Sequence, residues 1–288
     1  MILDLYKQIG NALSALESGL KIAISNSNNF NTPGYKYSFA SFTTVFSKVE
    51  SMGTDTTNPI QSGSSMTLGT TSTDYAQGNI GFGTGMDVAI SGDGFFILSD
   101  SASQFDAQSQ KSYTRAGRFQ VDFNNQFVVD SFGRKVFGFK VDKNGTPVNR
   151  TLVPIETDGN KDIGFKDGGV LVSNFQAEKD AIAGGTTPPE QAPLYKLAIT
   201  TFQNRQGLVL VDGGALKSTV ASGLAQTPVT AGEDGLGQIL GASLESSNIR
   251  VAQVALDMNL LNRGFSALQG ALQDVNKIVN DLLSKLVA

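Results

Sequence analysis

The residues able to do chemistry in this chain are carboxylates, hydroxyls and glycine-rich turns, because its 288 residues include no histidine and no cysteine. The first absence removes the commonest general base and metal ligand near neutral pH. The second removes a thiolate nucleophile, a zinc–thiolate site and any disulfide framework. Gly81-Phe-Gly-Thr-Gly85 has the composition of a phosphate loop. It lacks the G-x-G-x-x-G spacing, a following helix and a Walker lysine, so tight turns before a strand are expected there. Asp158-Gly-Asn160-Lys-Asp162 opens like a calcium loop, but Ile163 holds the position that needs glycine and Gly169 the position that needs an acid. A solvated turn fits better. Asp87 and Asp93 flank a strand pattern and suggest an acid–base pair, yet Asp93-Gly94 is an ordinary turn dipeptide. Asn144-Gly-Thr146 and Asn149-Arg-Thr151 are formal glycosylation sequons of a kind that chance often supplies. The expectation is no catalytic residue, no metal site and no cofactor.

The composition describes what must carry the chain instead. With 40% apolar residues, a chain of this length can bury a real core without covalent staples. Thirty-two Gly, eight Pro, eighteen Phe against six Tyr, and many Ser and Thr suit β-structure with tight turns. A net charge of −4 with Lys and Arg scattered argues against nucleic-acid binding, which normally shows a basic cluster. No apolar run approaches the roughly 20 residues needed to span a bilayer. The first twenty residues lack the charged start, apolar run and cleavage site of a Sec signal.

Both ends carry helical periodicity. Ile2, Tyr6, Ile9, Leu13, Leu16, Leu20 and Ala23 alternate spacings of four and three, a heptad seam. It is expected to stop at Ser25, where a run of Asn, Ser, Thr, Pro and Gly begins. Val254, Met258, Leu261, Phe265, Leu268, Leu272, Val275, Val279, Leu282 and Leu286 repeat the alternation without a miss. A helix from near Asn248 would be about 60 Å long. An apolar flank (Leu256, Leu260, Ala267, Ala271, Ile278, Leu283) widens that stripe beyond a simple dimer seam. Neutral polar residues such as Asn259, Asn262, Gln269 and Gln273 fill much of the remainder, where a solvated helix would carry more charge. The face is suited to packing against other protein.

The middle reads as sheet. Strands are expected at Phe39–Phe46, Met86–Ile90, Gly94–Leu98, Lys111–Phe123, Gln126–Val129, Lys135–Val141, Gly169–Val172, Leu194–Phe202 and Leu208–Val211. Turns at Asp122-Phe-Asn-Asn125 and Lys143-Asn-Gly145 separate some of them. Residues 51–85 read as an extended connector with short strands, and 184–193 and 221–237 as loops. The fold class expected is therefore α+β, with N- and C-terminal helices paired as a coiled coil around a β-rich central domain. The expected domains are 1–35 with 246–288 as the terminal coiled coil, 36–85 as β-connector, and 86–245 as the central domain, with room for an insertion near 142–193.

Several of these segments also carry a resemblance. Ser18-Gly-Leu20 followed by Ile24-Ser-Asn-Ser-Asn-Asn-Phe-Asn-Thr-Pro-Gly-Tyr-Lys36, then Met86-Asp-Val-Ala-Ile-Ser-Gly-Asp-Gly-Phe-Phe96, Tyr113-Thr-Arg-Ala-Gly-Arg-Phe119 and Asn125-Gln-Phe-Val-Val129, come in order. Thr201-Phe-Gln-Asn-Arg-Gln-Gly-Leu208, Ala221-Ser-Gly223 and Ser243-Leu-Glu-Ser-Ser-Asn-Ile249 follow. In this the chain resembles the bacterial flagellar rod and hook axial proteins, over both termini and most of the middle. It departs from their pattern after Asn248, where Ala255-Leu-Asp257 and Leu261-Asn-Arg263 stand in for an acidic helix start and an Ala-Gln-Arg triplet.

The resemblance implies a structural subunit, not an enzyme, that polymerises into the tubular distal rod of the basal body for motility. Gly138-Phe-Lys-Val141 is hook-like and Ile163-Gly-Phe-Lys-Asp-Gly-Gly-Val170 rod-like, so a short hook protein is the alternative. It implies an assembly interface through Leu13, Leu16, Leu20, Leu261, Phe265, Leu268, Leu272, Val275, Val279 and Leu282. The implied partners are further copies in a helical homopolymer, other axial proteins and the bushing rings around the rod, with no nucleic acid and no membrane insertion. The implied location is the basal body or hook, reached unfolded through the flagellar type III apparatus, from periplasm to exterior. A rival from another class is a surface-binding β-protein on a coiled-coil stalk. It would need an exposed aromatic patch, and the chain has no Trp to anchor one.

Overall fold

The computed structural model describes every residue except 1, 46–47, 59, 63–64, 100–110, 123, 125, 158 and 288. Phe46, Phe123, Asn125 and Asp158, and the side chain of Leu286, thus lie outside the described residues. The helices are α1 (Ile2–Asn28), α2 (Phe175–Ala183) and α3 (Val251–Val287). The chain divides into two compact units, one of Met1–Phe30, Tyr37–Asp74 and Ile249–Ala288, the other of Asn31–Lys36 and Tyr75–Asn248. The α+β class holds, with a helix at each end and a β-rich body between. No helix among the described residues is long and apolar enough to cross a membrane.

In the first unit α1 and α3 pack antiparallel. Tyr6 donates to the side-chain oxygen of Asn276, Leu16 lies against Gly264, and Gly19 lies against Leu261. As one index rises the other falls. Ala12, Ala15 and Ala23 are buried on α1 beside Ile9 and Leu16, so small side chains let other elements come close. A hairpin joins them: Ser38–Val45 pairs antiparallel with Ser65–Thr73, with an irregularity between Ala40 and Phe42. Helix α1 packs on both of these strands.

Helix α1 does not stop at Ser25 as expected but continues to Asn28. Asn and Ser weaken helices by offering the local backbone an alternative hydrogen bond. Here the Asn26 side chain is taken up elsewhere, donating to the Ser38 carbonyl at 2.6 Å and accepting from the Ser38 amide at 3.1 Å. The competitor is removed, and the helix runs on.

The second unit is built on a 12-stranded sheet. Its main path runs Ile163–Lys166, Val170–Ser173, Pro193–Leu197, Lys135–Val141, Phe95–Ser99, Lys111–Thr114, Ala215–Lys217, Val209–Val211. Strand Phe95–Ser99 is buried on both faces. Phe96 and Leu98 join one apolar cluster with Val88, Phe119, Phe165 and Ile239, while Phe95 and Ile97 join another with Tyr113, Phe137, Phe139 and Phe202. The period of two expected of a strand divides the two cores.

Two expected strands are broken. Lys111–Phe123 ends at Thr114 and resumes at Gln120–Asp122, because Arg115 turns inward and Gly117 passes close to another backbone. A Cβ on Gly117 would lie 1.7 Å from the Val88 carbonyl oxygen. Leu194–Phe202 is likewise two strands, Pro193–Leu197 and Ile199–Thr200. Strands Pro147–Pro154, Ile163–Lys166, Ala215–Lys217, Gln238–Gly241 and Ser243–Glu245 and helix α2 were not expected. The N-cap residue of α2, Asn174, makes no side-chain cap bond; the amides at Gln176 and Ala177 are received instead by the Asp162 carboxylate at 2.6 and 3.1 Å, from upstream of the helix.

Candidate assembly surface and the buried junction

The residues first considered for chemistry are occupied in holding turns. The Asp87 carboxylate accepts from the Thr84 amide and hydroxyl at 2.7 and 3.0 Å. That pins the turn that follows strand Ile80–Phe82, in which Gly81 lies, and precedes strand Val88–Ser91, with no helix after it. Asp93 makes a two-toothed contact with the Arg205 guanidinium at 2.7 and 2.6 Å. That hydrogen bonding holds its carboxyl below the ordinary range, although partial burial opposes it. The two aspartates therefore serve separate partners. Asp162 is the cap of α2, and Asn160 accepts from the Asp162 amide at 3.1 Å. Lys143-Asn-Gly145 is a turn, with Gly145 in the left-handed region at φ 76.

The densest polar constellation lies in the second unit around Glu245. Lys36 Nζ reaches Glu245 Oε1 at 2.6 Å and the Ala76 carbonyl at 2.8 Å. The Gly78 amide donates to the same carboxylate oxygen at 2.9 Å. Arg115 approaches Oε2 through Nε at 3.1 Å and Nη2 at 3.0 Å. Its remaining donors reach the carbonyls of Gly92, Gly94 and Ile90 at 2.7, 2.9 and 3.2 Å. Burial pulls the Arg115 guanidinium below its ordinary pKa, and Glu245 pulls it back up.

Every donor of the planar Arg fork finds an acceptor, which is what makes a buried charge tolerable. Gly34 donates its amide to the Glu245 carbonyl at 2.9 Å, and Asn248 donates its side chain to Ala76 at 3.0 Å. The junction thus ties together 34–36, 76–78 and 245–248, the segments where the chain enters and leaves this unit. Lys36, Arg115 and Glu245 all sit inside the motifs that carry the resemblance, but their meeting was not visible from the sequence.

In the first unit the residues expected at the interface lie on α1 and α3, with Leu16 against Gly264 and Leu261 against Gly19. Leu16 and Val275 are buried, while Leu13, Leu20, Leu261, Phe265, Leu268, Leu272 and Val279 are half-buried. Leu282 differs, at 47% exposed. The flank is uncovered along its length: Leu256, Leu260, Ile278 and Leu283 are 53, 58, 55 and 55% exposed, and Ala267 and Ala271 are exposed as well. The long helix thus holds a row of large apolar side chains out in the open.

Two polar residues that the sequence did not single out for a role close the other end of this unit. Tyr37 donates its hydroxyl to Asp257 at 2.6 Å, and Gln253 donates to the other carboxylate oxygen at 2.9 Å. Burial, then the bond to Asp257, holds the Tyr37 hydroxyl well above the usual phenol range. Asp257 belongs to the triplet where the chain departs from the rod and hook pattern. Beside this pair is an open cavity of about 200 Å³ lined by Gly19, Ala23, Phe39, Ala40, Asp257 and Leu260 among others.

A chain that uses its polar clusters to hold segments together, and its two ends to build a helix pair with an uncovered apolar flank, has the construction of a structural subunit. The comparisons agree. It is 25% identical to the flagellar basal-body rod protein FlgG of Bacillus subtilis over 291 residues, covering 99% of both chains. The rod protein FlgG of Buchnera aphidicola from Schizaphis graminum is 28% identical over 280 residues, 94% of this chain and 95% of its own. The flagellar hook protein FlgE of Borreliella burgdorferi is 31% identical over 182 residues, 60% of this chain and 39% of the hook protein. No protein-family model matches the chain. The relatives support the rod and hook axial family for this chain, with full-length similarity to rod proteins and partial similarity to hook proteins.

Proposed function

We propose that this chain is a structural subunit of the distal rod of the bacterial flagellar basal body, polymerising with itself into a tube for motility. The observation that carries the reading is coverage: rod relatives match from end to end, whereas the Borreliella hook protein matches 60% of this chain. In this reading α1 and α3 form a coiled coil through the seam from Leu13 to Leu282, and the flank Leu256, Leu260, Ile278 and Leu283 meets neighbouring copies. The β-rich unit contributes outer contacts, and Lys36, Glu245 and Arg115 are positioning residues. The chain is exported through the flagellar type III apparatus and acts without a cofactor. Its partners are other axial proteins and the rings around the rod.

Purified chain, polymerised and imaged by electron microscopy, tests this directly. A straight tube is expected. A supercoiled or curved tube would transfer the chain to the short-hook alternative, and no polymer under any condition that assembles rod proteins would remove the reading.

A further inference from the structure

Hydrogen bonding in the hairpin of the first unit fixes which backbone groups of strand Ser38–Val45 face outward. Partners in an antiparallel pair alternate between exchanging both backbone bonds and exchanging none. The Asp74 amide donates to the Tyr37 carbonyl at 2.8 Å, so Tyr37 and Asp74 are a bonded pair. Ser38 then faces Thr73, Phe39 faces Ser72 and Ala40 faces Thr71. Phe39 and Ser72 are therefore bonded, while Ser38 and Ala40 turn their N–H and C=O away from the partner strand. Ser38 agrees with this: both of its groups are taken by the Asn26 carboxamide, at 3.1 and 2.6 Å. Two residues on, Ala40 offers the same donor and acceptor along the same edge, and no strand among the described residues pairs with that edge.

That open step lies on the wall of the cavity. The floor is low because Gly19 and Ala23 present almost no side chain, and Phe39 and Leu260 give it apolar sides that remain 43 and 58% exposed. A space of about 200 Å³ accommodates an aliphatic side chain, since an apolar cavity of about 150 Å³ takes a benzene molecule. An unpaired strand edge beside an apolar pocket is the arrangement that takes up an extended peptide: backbone bonds hold it, and the pocket selects a side chain. Open edges are ordinarily blunted by charged residues or proline. Strands Ser38–Val45 and Ser65–Thr73 contain neither.

The occupant follows from what borders the cavity. Leu260 belongs at once to the cavity wall and, with Leu256, to the exposed flank of α3 that the reading above gives to neighbouring copies. The two surfaces are continuous, so a copy that covers the flank also reaches the cavity. We propose that an extended segment of a second copy adds to the edge at Ala40. Its backbone donates to the Ala40 carbonyl and accepts from the Ala40 amide, as the Asn26 carboxamide does at Ser38, and one apolar side chain enters the cavity between Phe39 and Leu260. This rests on the polymer reading above and deepens it, naming a place where copies join through the backbone as well as through apolar surface.

Amide hydrogen exchange of the unsubstituted full chain, read residue by residue by mass spectrometry, tests this without altering the protein. The Phe39 amide is held within the hairpin whatever lies outside it, whereas the Ala40 amide is held only by an added strand. In polymer made from the pure chain, both amides are expected to exchange slowly and at comparable rates. Slow exchange at Phe39 with exchange at Ala40 faster by about a hundredfold or more overturns the strand addition and leaves the rod reading standing. Equal protection of both amides already in dilute monomer also overturns it, because the chain would then be covering its own edge. A second arm uses Ala40→Pro, which removes the outward N–H alone, since proline is tolerated on an edge strand where that group faces away from the ladder. Loss of one hydrogen bond is expected to raise the concentration needed for polymerisation by about threefold to tenfold, while Ala40→Ser, which keeps the N–H, leaves it nearly unchanged. Polymerisation of Ala40→Pro at the unsubstituted concentration overturns the proposal as well, and if proline disturbs the hairpin the exchange result decides. Absence of polymer from the unsubstituted chain overturns both this proposal and the rod reading.

Discussion

Arg115 and Glu245 form a buried ion pair, with Nη2 and Oε2 separated by 3.0 Å and side chains 7 and 0% exposed. The two residues are 130 positions apart, and Lys36 reaches the same carboxylate from the far side of the sequence. One carboxylate against two cations, with backbone donors and acceptors completing the set, is an arrangement whose worth lies in its completeness. Desolvating three charges is costly, and removing one leaves the others without compensation.

Glu245→Gln is therefore expected to destabilise the β-rich unit by about 3–5 kcal/mol. Denaturant unfolding of the full chain measures it. A loss below about 1 kcal/mol would show that the cations find water or another partner, and that the junction does not hold the segments.

Glycine positions separate sharply. Gly117→Ala drives a methyl into the Val88 carbonyl, beside the 2.9 Å bond from the Val88 amide to the Gly117 carbonyl. A loss of about 3 kcal/mol or more is expected, at the upper end of overpacking costs. Gly10→Ala meets nothing within 4 Å on α1 and is expected to stabilise that helix by about 0.5–1 kcal/mol. Thermal melts of both variants check the contrast, and equal effects would mean that the close approach at Gly117 is absent in solution.

At alkaline pH the Tyr113 hydroxyl is the group to follow. Burial pushes it up to about 12 from an ordinary 10. A raised folded value means that its contribution is complete below the unfolded value near 10 and is lost as pH rises toward about 12. Stability of the β-rich unit should fall across that window, and Tyr113→Phe should flatten the fall. An unchanged slope in the variant would assign the alkaline sensitivity to another group.

The seam and the flank of α3 should respond differently. Leu272→Asp places a charge in the α1–α3 contact, so loss of both helical signal and polymer is expected, while the β-rich unit still folds. Leu256→Asp lies on exposed surface, so circular dichroism should be unchanged while polymerisation fails. Normal polymer from Leu256→Asp would show that the flank is not a contact surface.

Much of this molecule was legible in its residues. Heptad spacing located both terminal helices, because 3.6-residue periodicity is a local property that survives without tertiary context. The strand Lys135–Val141 was bounded to the residue, since its alternating apolar positions and the turn after it are also local signals. The missing His and Cys narrowed the chemistry before any fold was known.

Tertiary structure decided what depends on residues far apart in sequence. Helix α2 is capped from outside it: Asn174 at its start makes no side-chain cap bond, and Asp162 arrives from upstream to receive its first amides. The strand expected through Arg115 breaks because that side chain is drawn to Glu245, 130 positions away. Helix α1 outlasts its stop signal because Ser38 takes the Asn26 amide. In each case a polar or apolar group found its partner only once folding had closed the loop between them, and no local pattern records that meeting.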